Sequence, residues 1–417
     1  MSEIYEPVWQ NANLKWKCSL HNMCSYLAMF PPALPNYFIQ QFTNPGDLVL
    51  DPFSGRGTAL LEASRCGRVP LGNDLNPLAY YLSFSKSNVP CYSSIIRRIS
   101  ELQKNYRPVD ISSEPEDIKM LYDLEETLPQ LCYLKKNLKI TRKVDIFILG
   151  ALMGIMHGPH KKDGTSNYLS ISMPNTFSMS PNYVRKYIDS HNLKKIRQNV
   201  FSCLKSKVKS IYPFNENLLS GQVYLDNALN LAKSKYKKYF GKVKLIITSP
   251  PYLKVINYGK YNWIRLWLID INSKKVDNSL RINEAYKQSK ELKLSDDLKL
   301  EQYLEFMKDV IRGWEKLLSD DGVAVVVIGD VDDHNGKYIR LAEEVWANIS
   351  DSTALSLVDI IEDNIKGNSK VTKIWGNERK GNATKTDRIL ILSKSGKKIK
   401  ANIEENISDY FGAIYRS

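Results

Sequence analysis

A chain of 417 residues, 43% hydrophobic and 25% charged, has the composition of a folded protein with a large core, which argues against wholesale disorder. Its 59 Lys and Arg against 45 Asp and Glu leave a formal charge of +14, which suits a polyanionic partner, with nucleic acid first and an anionic membrane second. The six cysteines (Cys18, Cys24, Cys66, Cys91, Cys132 and Cys203) include no CxxC pair, so they suggest neither a metal set nor a disulfide framework and read as reduced intracellular thiols.

In chain order, Met1 to Glu6 has no basic flank running into an apolar stretch, so no secretory leader is expected. Leu34 to Phe42 reads as a short amphipathic helix and Asn44-Pro45-Gly46-Asp47 as a turn. Leu48-Val49-Leu50 is a strand entering a glycine-containing loop, Thr58 to Cys66 a helix closed by Gly67, and Val69 to Asp74 a second strand ending in an acid. Residues 84–216 break this rhythm and are largely helical in pattern. Their longest apolar run, Val144 to Met156, is too short to cross a bilayer and reads as a buried helix. A polar and aromatic loop, Tyr168 to Tyr183, precedes what reads as one basic helix carrying Arg185, Lys186, Lys194, Lys195, Arg197, Lys205, Lys207 and Lys209. Strand-and-helix alternation resumes at Val223 to Asp226. Val243 to Thr248 is the next strand, Tyr261 to Ile269 an apolar helix, and Tyr303 to Leu317 a longer one that Ser319-Asp320-Asp321-Gly322 ends. Val323 to Ile328 reads as a central buried strand and Arg388 to Ser393 as the last. Strands alternating with helices predict an α/β fold with a parallel sheet, interrupted by a helical insertion.

Two strand ends stand out. After Val243 to Thr248 comes Ser249-Pro250-Pro251-Tyr252. Two prolines cannot continue a central ladder, so the chain must leave the sheet there, presenting a hydroxyl, a carbonyl and a ring at a strand's carboxyl end. Open α/β sheets place ligands at such ends. Far upstream, Asp51-Pro52-Phe53-Ser54-Gly55-Arg56-Gly57-Thr58 supplies glycines for a tight turn and a helix N-terminus suited to an anionic group.

Asp51 to Thr58 resembles motif I (DPFxGxGT) of the S-adenosylmethionine-dependent amino methyltransferases of DNA. Thr248-Ser249-Pro250-Pro251-Tyr252 resembles their motif IV, in the SPPY form common in the cytosine-N4 group. Met29-Phe30-Pro31-Pro32-Ala33-Leu34-Pro35 resembles the segment that precedes motif I. The resemblance spans about 1–83 and 217–394. It implies a Rossmann-like methyltransferase mixed sheet with helices on both faces. The catalytic domain would be 1–83 and 217–417, and the helical insertion 84–216 a candidate target-recognition region.

The same resemblance implies the roles of individual residues. S-adenosyl-L-methionine would lie against Asp51, Pro52, Phe53, Gly55, Gly57, Thr58 and Thr248. Asp74, with Leu75 and Asn76, would hold its ribose; a cap on Asn76-Pro77 is the rival role for Asp74. Asp226 and Asn227 would meet its adenine, again with a cap as rival, and Tyr26, Phe30 and Pro31 would cover its methionine end. Ser249 Oγ and the Pro250 carbonyl would accept both N–H groups of the target amine and free its lone pair, with Pro251 shaping the turn and Tyr252 stacking on the base. A paired amine must be flipped out of double-stranded DNA. Arg185, Lys186, Lys194, Lys195, Arg379 and Lys380 are the candidate phosphate contacts.

The function expected is site-specific N4-methylation of cytosine, with a cognate restriction endonuclease as possible partner, in the cytoplasm of a bacterium or archaeon and associated with the nucleoid. Adenine-N6 methylation, an RNA amino methyltransferase, protein glutamine methylation and a DNA-binding module without catalysis are the rivals. Pro90-Cys91 resembles the nucleophile dipeptide of cytosine-C5 methyltransferases, but their Glu-Asn-Val motif is missing, so Cys91 is expected to be a buried thiol. His157 and His160 have no companion ligand set, and no metal is expected.

Overall fold

The computed structural model describes residues 9, 18–27, 31–176, 178–251, 258–280, 296–332, 338–364 and 383–395. Five strands run parallel: β1 (Leu48–Asp51), β2 (Val69–Asp74), β3 (Gln222–Leu225), β4 (Val243–Thr248) and β5 (Leu318–Asp332). A short β6 (Tyr338–Ile339) pairs with β5. β8 (Ala383–Ser393) lies antiparallel between β5 and β7 (Ser356–Asn364). The order β3-β2-β1-β4-β5-β8-β7 makes this the Rossmann-like mixed sheet expected of a methyltransferase. The chain runs outward from β1 to β3 on one side and from β4 on the other. The switch point between β1 and β4 is where such sheets open a crevice.

The core follows from the two-residue repeat of the strands. Val49, Leu245, Ile247, Val323, Val325, Val327, Ile389 and Ile391 turn to one face, with the helices Ala33–Phe42 and Thr58–Arg65. Leu50, Ile246, Ala324, Val326, Ile328, Leu390 and Leu392 turn to the other, with the helices Asp296–Leu317 and Leu341–Ile349. Strands buried on both faces read as continuous apolar runs, which is why β4 and β5 were visible in the sequence.

Residues 84–216 fold mainly as helices, including Tyr92–Lys104, Thr127–Asn137, Lys143–Met153, Pro181–His191 and Val200–Ile211. Ile95, Leu131, Ile148, Leu152, Phe201 and Leu204 share one hydrophobic cluster with Leu20, Met23, Leu78, Leu82 and Ile264. The helical segment is therefore packed onto the helix that follows β2 and onto the chain around residue 20. Gly154 permits this contact, since a Cβ there would lie 1.8 Å from the Met23 carbonyl oxygen.

Four expectations need correction. The basic stretch 185–209 is two helices, because Asn192 adopts the left-handed conformation at φ 45° and ends the first. The apolar helix expected from Tyr261 to Ile269 is instead two short turns, Tyr258–Tyr261 and Trp263–Trp267. Ser319 to Gly322 does not merely end a helix but lies within β5. The register jumps from Val243↔Leu318 to Leu245↔Val323, and the extra polar residues loop outward, where Asp321 pairs with Lys244. Finally, Cys91 is exposed rather than buried, at the start of the helix Tyr92–Lys104, and the hydroxyls of Ser94 and Ser93 lower its thiol to a pKa of about 7.

Candidate active site

β1 and β4 are parallel neighbours, with Leu50 opposite Ile246. Their last residues therefore emerge together at one edge of the sheet. Thr248 Oγ1 donates a hydrogen bond to Asp51 Oδ1 at 2.6 Å, and the Phe53 N–H donates to the same oxygen at 3.1 Å. Both side chains are buried. Burial raises the Asp51 carboxyl to a pKa of about 7; the bonds from Thr248 and Phe53 pull it down, and the charge of Asp74 adds to the rise. Beyond Thr248 the chain leaves the sheet, with Ser249 half-buried, Pro250 buried and Pro251 half-buried. Tyr252 lies outside the described residues.

The glycine loop wraps around the end of β2. Gly55 and Gly57 have φ of 49° and 76°, in the region that only glycine enters without strain. Gly57 is also closely packed, since a Cβ would sit 2.9 Å from the Ser83 Cα. Ser83 Oγ lies 2.9 Å from the Gly55 carbonyl and 3.1 Å from Ser54 Oγ, which anchors the loop to the helix Pro77–Ser87. Thr58 opens the next helix, whose first-turn N–H groups have no side-chain cap from Gly57. Pro52 is buried and its carbonyl accepts the Asn73 amide at 3.2 Å, while the Phe53 ring faces Phe306 at 6.0 Å.

Asp74 closes the loop from the other side. Its two carboxylate oxygens accept the N–H groups of Gly55 and Asn76, each at 2.8 Å. Burial lifts its pKa to about 6 against these backbone donors and that of Leu75. The cap on Pro77–Ser87 is Asn76 itself, which accepts the Leu78 N–H at 3.1 Å. Its amide donates to the Tyr26 hydroxyl at 2.8 Å. Tyr26 is buried, borders Gly55 and stacks on Tyr258 at 5.7 Å. Pro31 is exposed, and Phe30 lies outside the described residues.

The end of β3 differs. Asp226 Oδ1 accepts the Asn227 N–H at 2.8 Å and the Asn230 amide at 2.7 Å; Oδ2 accepts the Tyr236 hydroxyl at 2.7 Å and the Lys235 ammonium. Partial burial raises its pKa, but the bonds from Lys235, Asn230 and Tyr236 prevail and hold the carboxyl at about 2. Four donors occupy the capacity of a carboxylate, leaving little for an adenine amino group. The Asn227 side chain caps the turn Ala228–Asn230 through the Leu229 N–H at 3.0 Å. The cap of this turn is thus Asn227, while Asp226 braces it through Asn230, Tyr236 and Lys235.

Two residues escaped the sequence reading. Tyr258, partner of Tyr26, carried no motif signal. Arg265 is fully buried and donates to the carbonyls of Asn175 (2.6 Å) and Met153 (3.2 Å), to Asn262 Oδ1 (2.8 Å) and to Ser25 Oγ (3.3 Å). It ties the chain before Tyr26, the loop near residue 175 and the turn after Tyr258 into one wall. An arginine inside Trp263-Ile264-Arg265-Leu266-Trp267 was the available signal. His157 and His160 serve this loop as hydrogen-bond partners: His157 to the Pro174 carbonyl at 2.8 Å, His160 to the Ser170 carbonyl at 2.8 Å. No cluster of three metal-ligating side chains occurs among the described residues.

Of the expected phosphate contacts, Arg185, Lys186, Lys194 and Lys195 are exposed. Arg185 pairs with Asp117. Arg379 and Lys380 lie outside the described residues. Among those described, no helix is long and apolar enough to cross a membrane.

A DNA methylase family model (N6_N4_Mtase) matches residues 2–85 and 243–413, more than half of the chain. The chain is 24% identical over 285 residues to the Type II methyltransferase M.BsoBI of Geobacillus stearothermophilus, covering 62% of this chain and 54% of that one. It is 23% identical over 294 residues to the Type II methyltransferase M.MvaI of Kocuria varians, covering 65% and 62%. It thus spans between about half and three-fifths of the length of these relatives. Over a shorter stretch of 60 residues it is 38% identical to the Type II methyltransferase M.PvuII of Proteus hauseri, covering 14% of this chain and 18% of that one. Among solved structures, the rRNA methyltransferase aviRa of Streptomyces viridochromogenes aligns over 95% of this chain and 94% of its own at 8% identity. The TM-score of 0.30 is too low to inform function.

Proposed function

The chain belongs to the DNA methylase family, and from that premise we propose that it methylates the exocyclic N4 amine of a cytosine extruded from duplex DNA, at a specific sequence, as the modification partner of a restriction endonuclease. One observation carries the reading. The ends of β1 and β4 meet, with Thr248 bonded to Asp51 at 2.6 Å, so Ser249 and Pro250 stand beside the glycine loop at the switch point of the sheet.

The family uses S-adenosyl-L-methionine, which supplies a methyl carbon made electrophilic by its sulfonium. The residues present fit such a donor. A Cβ at Gly55 would meet only the Tyr26 ring at 3.7 Å and the Phe53 carbonyl at 4.0 Å, so the glycine borders an open cradle. Asp74 would hold ribose hydroxyls, and the first-turn N–H groups of Thr58–Arg65 the amino-acid carboxylate. Asp51 shapes the loop through Phe53, and the Tyr26–Tyr258 pair walls one side.

On the other half of the site, Ser249 Oγ and the Pro250 carbonyl accept the two N–H groups of the target amine. Both acceptors draw the nitrogen away from planarity and free its lone pair. Ser249-Pro250-Pro251-Tyr252 contains no strong base, and none is needed, because the methylated ammonium is a strong acid. Positioning and electrostatics carry the rate. The catalytic domain is then 1–83 with 217–417, and 84–216 is the target-recognition region.

Nucleoside analysis of unmodified DNA incubated with the protein and methyl-labelled donor tests the reading. N4-methylcytosine is expected. N6-methyladenine would overturn the choice of base, and label that enters structured RNA but not DNA would overturn the choice of substrate.

A further inference from the structure

We infer that the helix Pro181–His191 carries a stacking ridge for unpaired bases of DNA. Tyr183, Tyr187 and His191 lie four residues apart in succession and so share one helix face. The Tyr183 and Tyr187 rings stack at 6.0 Å with an interplanar angle of 19°, and the Tyr187 and His191 rings lie 4.1 Å apart. Tyr183 is 46% exposed, so ring surface is open to solvent at the start of the ladder. Val184 and Ile188 hold the helix down on the hydrophobic cluster, so the ring ladder is not needed to anchor it.

The flanks of the ridge are basic. Lys186, Lys194 and Lys195 are exposed and have no acidic partner among the described residues. Arg185 pairs with Asp117, and Arg197 with Glu125. Aromatic faces between cations suit bases on a phosphate backbone, because rings stack on any base while ammonium groups meet phosphates.

The position of the ridge is also informative. Tyr258 stacks on Tyr26 at the glycine loop. Its turn ends at Tyr261, whose carbonyl accepts the Ser178 N–H at 2.6 Å, and the Met179 carbonyl accepts the Trp263 indole at 2.8 Å. Pro181 follows three residues after Ser178. Pro181 is therefore joined by a short hydrogen-bonded segment to the turn that carries Tyr258, which ties the ridge to the wall of the donor cradle. Extruding a base leaves unstacked neighbours beside the pocket, and ring faces on this segment would hold them.

This proposal rests on the methyltransferase reading above. Its test uses the full chain and a fluorescent single-stranded oligonucleotide. Replacing both tyrosines (Y183A with Y187A) should weaken oligonucleotide binding about tenfold or more and leave the salt dependence unchanged, because no charge is removed. The ring-keeping pair Y183F with Y187F should bind as the wild type does. Replacing Lys186, Lys194 and Lys195 with alanine should instead flatten the salt dependence by about two units of slope. Wild-type affinity in the alanine pair, or a wild-type dimer that the alanine pair disrupts, would overturn the ridge. Donor binding by calorimetry and methyl incorporation into DNA by the wild type report separately on the function itself.

Discussion

Three acids end three neighbouring parallel strands, and they are not equivalent. Asp51 and Asp74, at the ends of β1 and β2, have pKa values that burial raises to about 7 and about 6. Asp226, at the end of β3, is held at about 2 by Lys235, Asn230 and Tyr236. The first two are bonded mainly by backbone N–H groups and one hydroxyl, with no cation on them among the described residues. The third is neutralised within its own turn. Carboxylates desolvated without a counter-ion cost stability, and such perturbed groups cluster at functional sites. The same residue type at the same kind of strand end therefore takes backbone and hydroxyl donors in two places and a lysine ammonium in the third.

The largest consequence of that contrast concerns stability. Asp51 has a folded pKa above its unfolded value, so its favourable contribution is complete below about pH 4 and is lost as pH rises through about 7. Between pH 4 and pH 8 the unfolding free energy of Asp51→Asn should rise relative to wild type by on the order of 4 kcal/mol in denaturant titrations. A constant difference across that range would mean that Asp51 is not desolvated. Asp226 has the opposite sign: its contribution is present above about pH 4 and lost as pH falls through about 2.

The contrast is sharpened by cofactor affinity. Asp74→Asn should weaken S-adenosylmethionine binding roughly 10- to 100-fold, the range for hydrogen bonds to a charged acceptor of about 1.5–3 kcal/mol. Calorimetry showing an unchanged dissociation constant would remove Asp74 from the donor site. The smallest effect belongs to Asp226→Asn. It should cost about 1 kcal/mol of stability, since Lys235 is 56% exposed and its ion pair is screened. Cofactor affinity should stay within about threefold of wild type; a larger loss would return Asp226 to the donor site.

Much of this architecture was legible because its strands are buried on both sides. Leu48-Val49-Leu50, Val243 to Thr248 and Val323 to Ile328 stand out as apolar runs, and glycines or prolines mark where β1 and β4 stop. β7 was not foreseen, because it lies at the edge of the sheet with an interrupted pattern of burial and carries Asp359, Glu362 and Asp363 among its apolar residues. Ser319 to Gly322 did mark the end of the helix Asp296–Leu317, but the polar excursion hid that β5 already begins at Leu318. Within the site, Asp51, Gly55, Gly57 and Asp74 were visible as local motifs. Tyr258 and Arg265 were not, because their importance arises from contacts with Tyr26, Ser25 and Asn175, far away in the chain.

The central claim is that the strand end bearing Ser249 supplies the amine's acceptors while its neighbour holds the donor. Ser249→Ala, measured on one preparation for both properties, tests this most directly. The account predicts an S-adenosylmethionine dissociation constant within about threefold of wild type by calorimetry, and a fall of at least about 100-fold in the rate of labelled methyl transfer to DNA. Transfer at the wild-type rate with donor binding intact would contradict it.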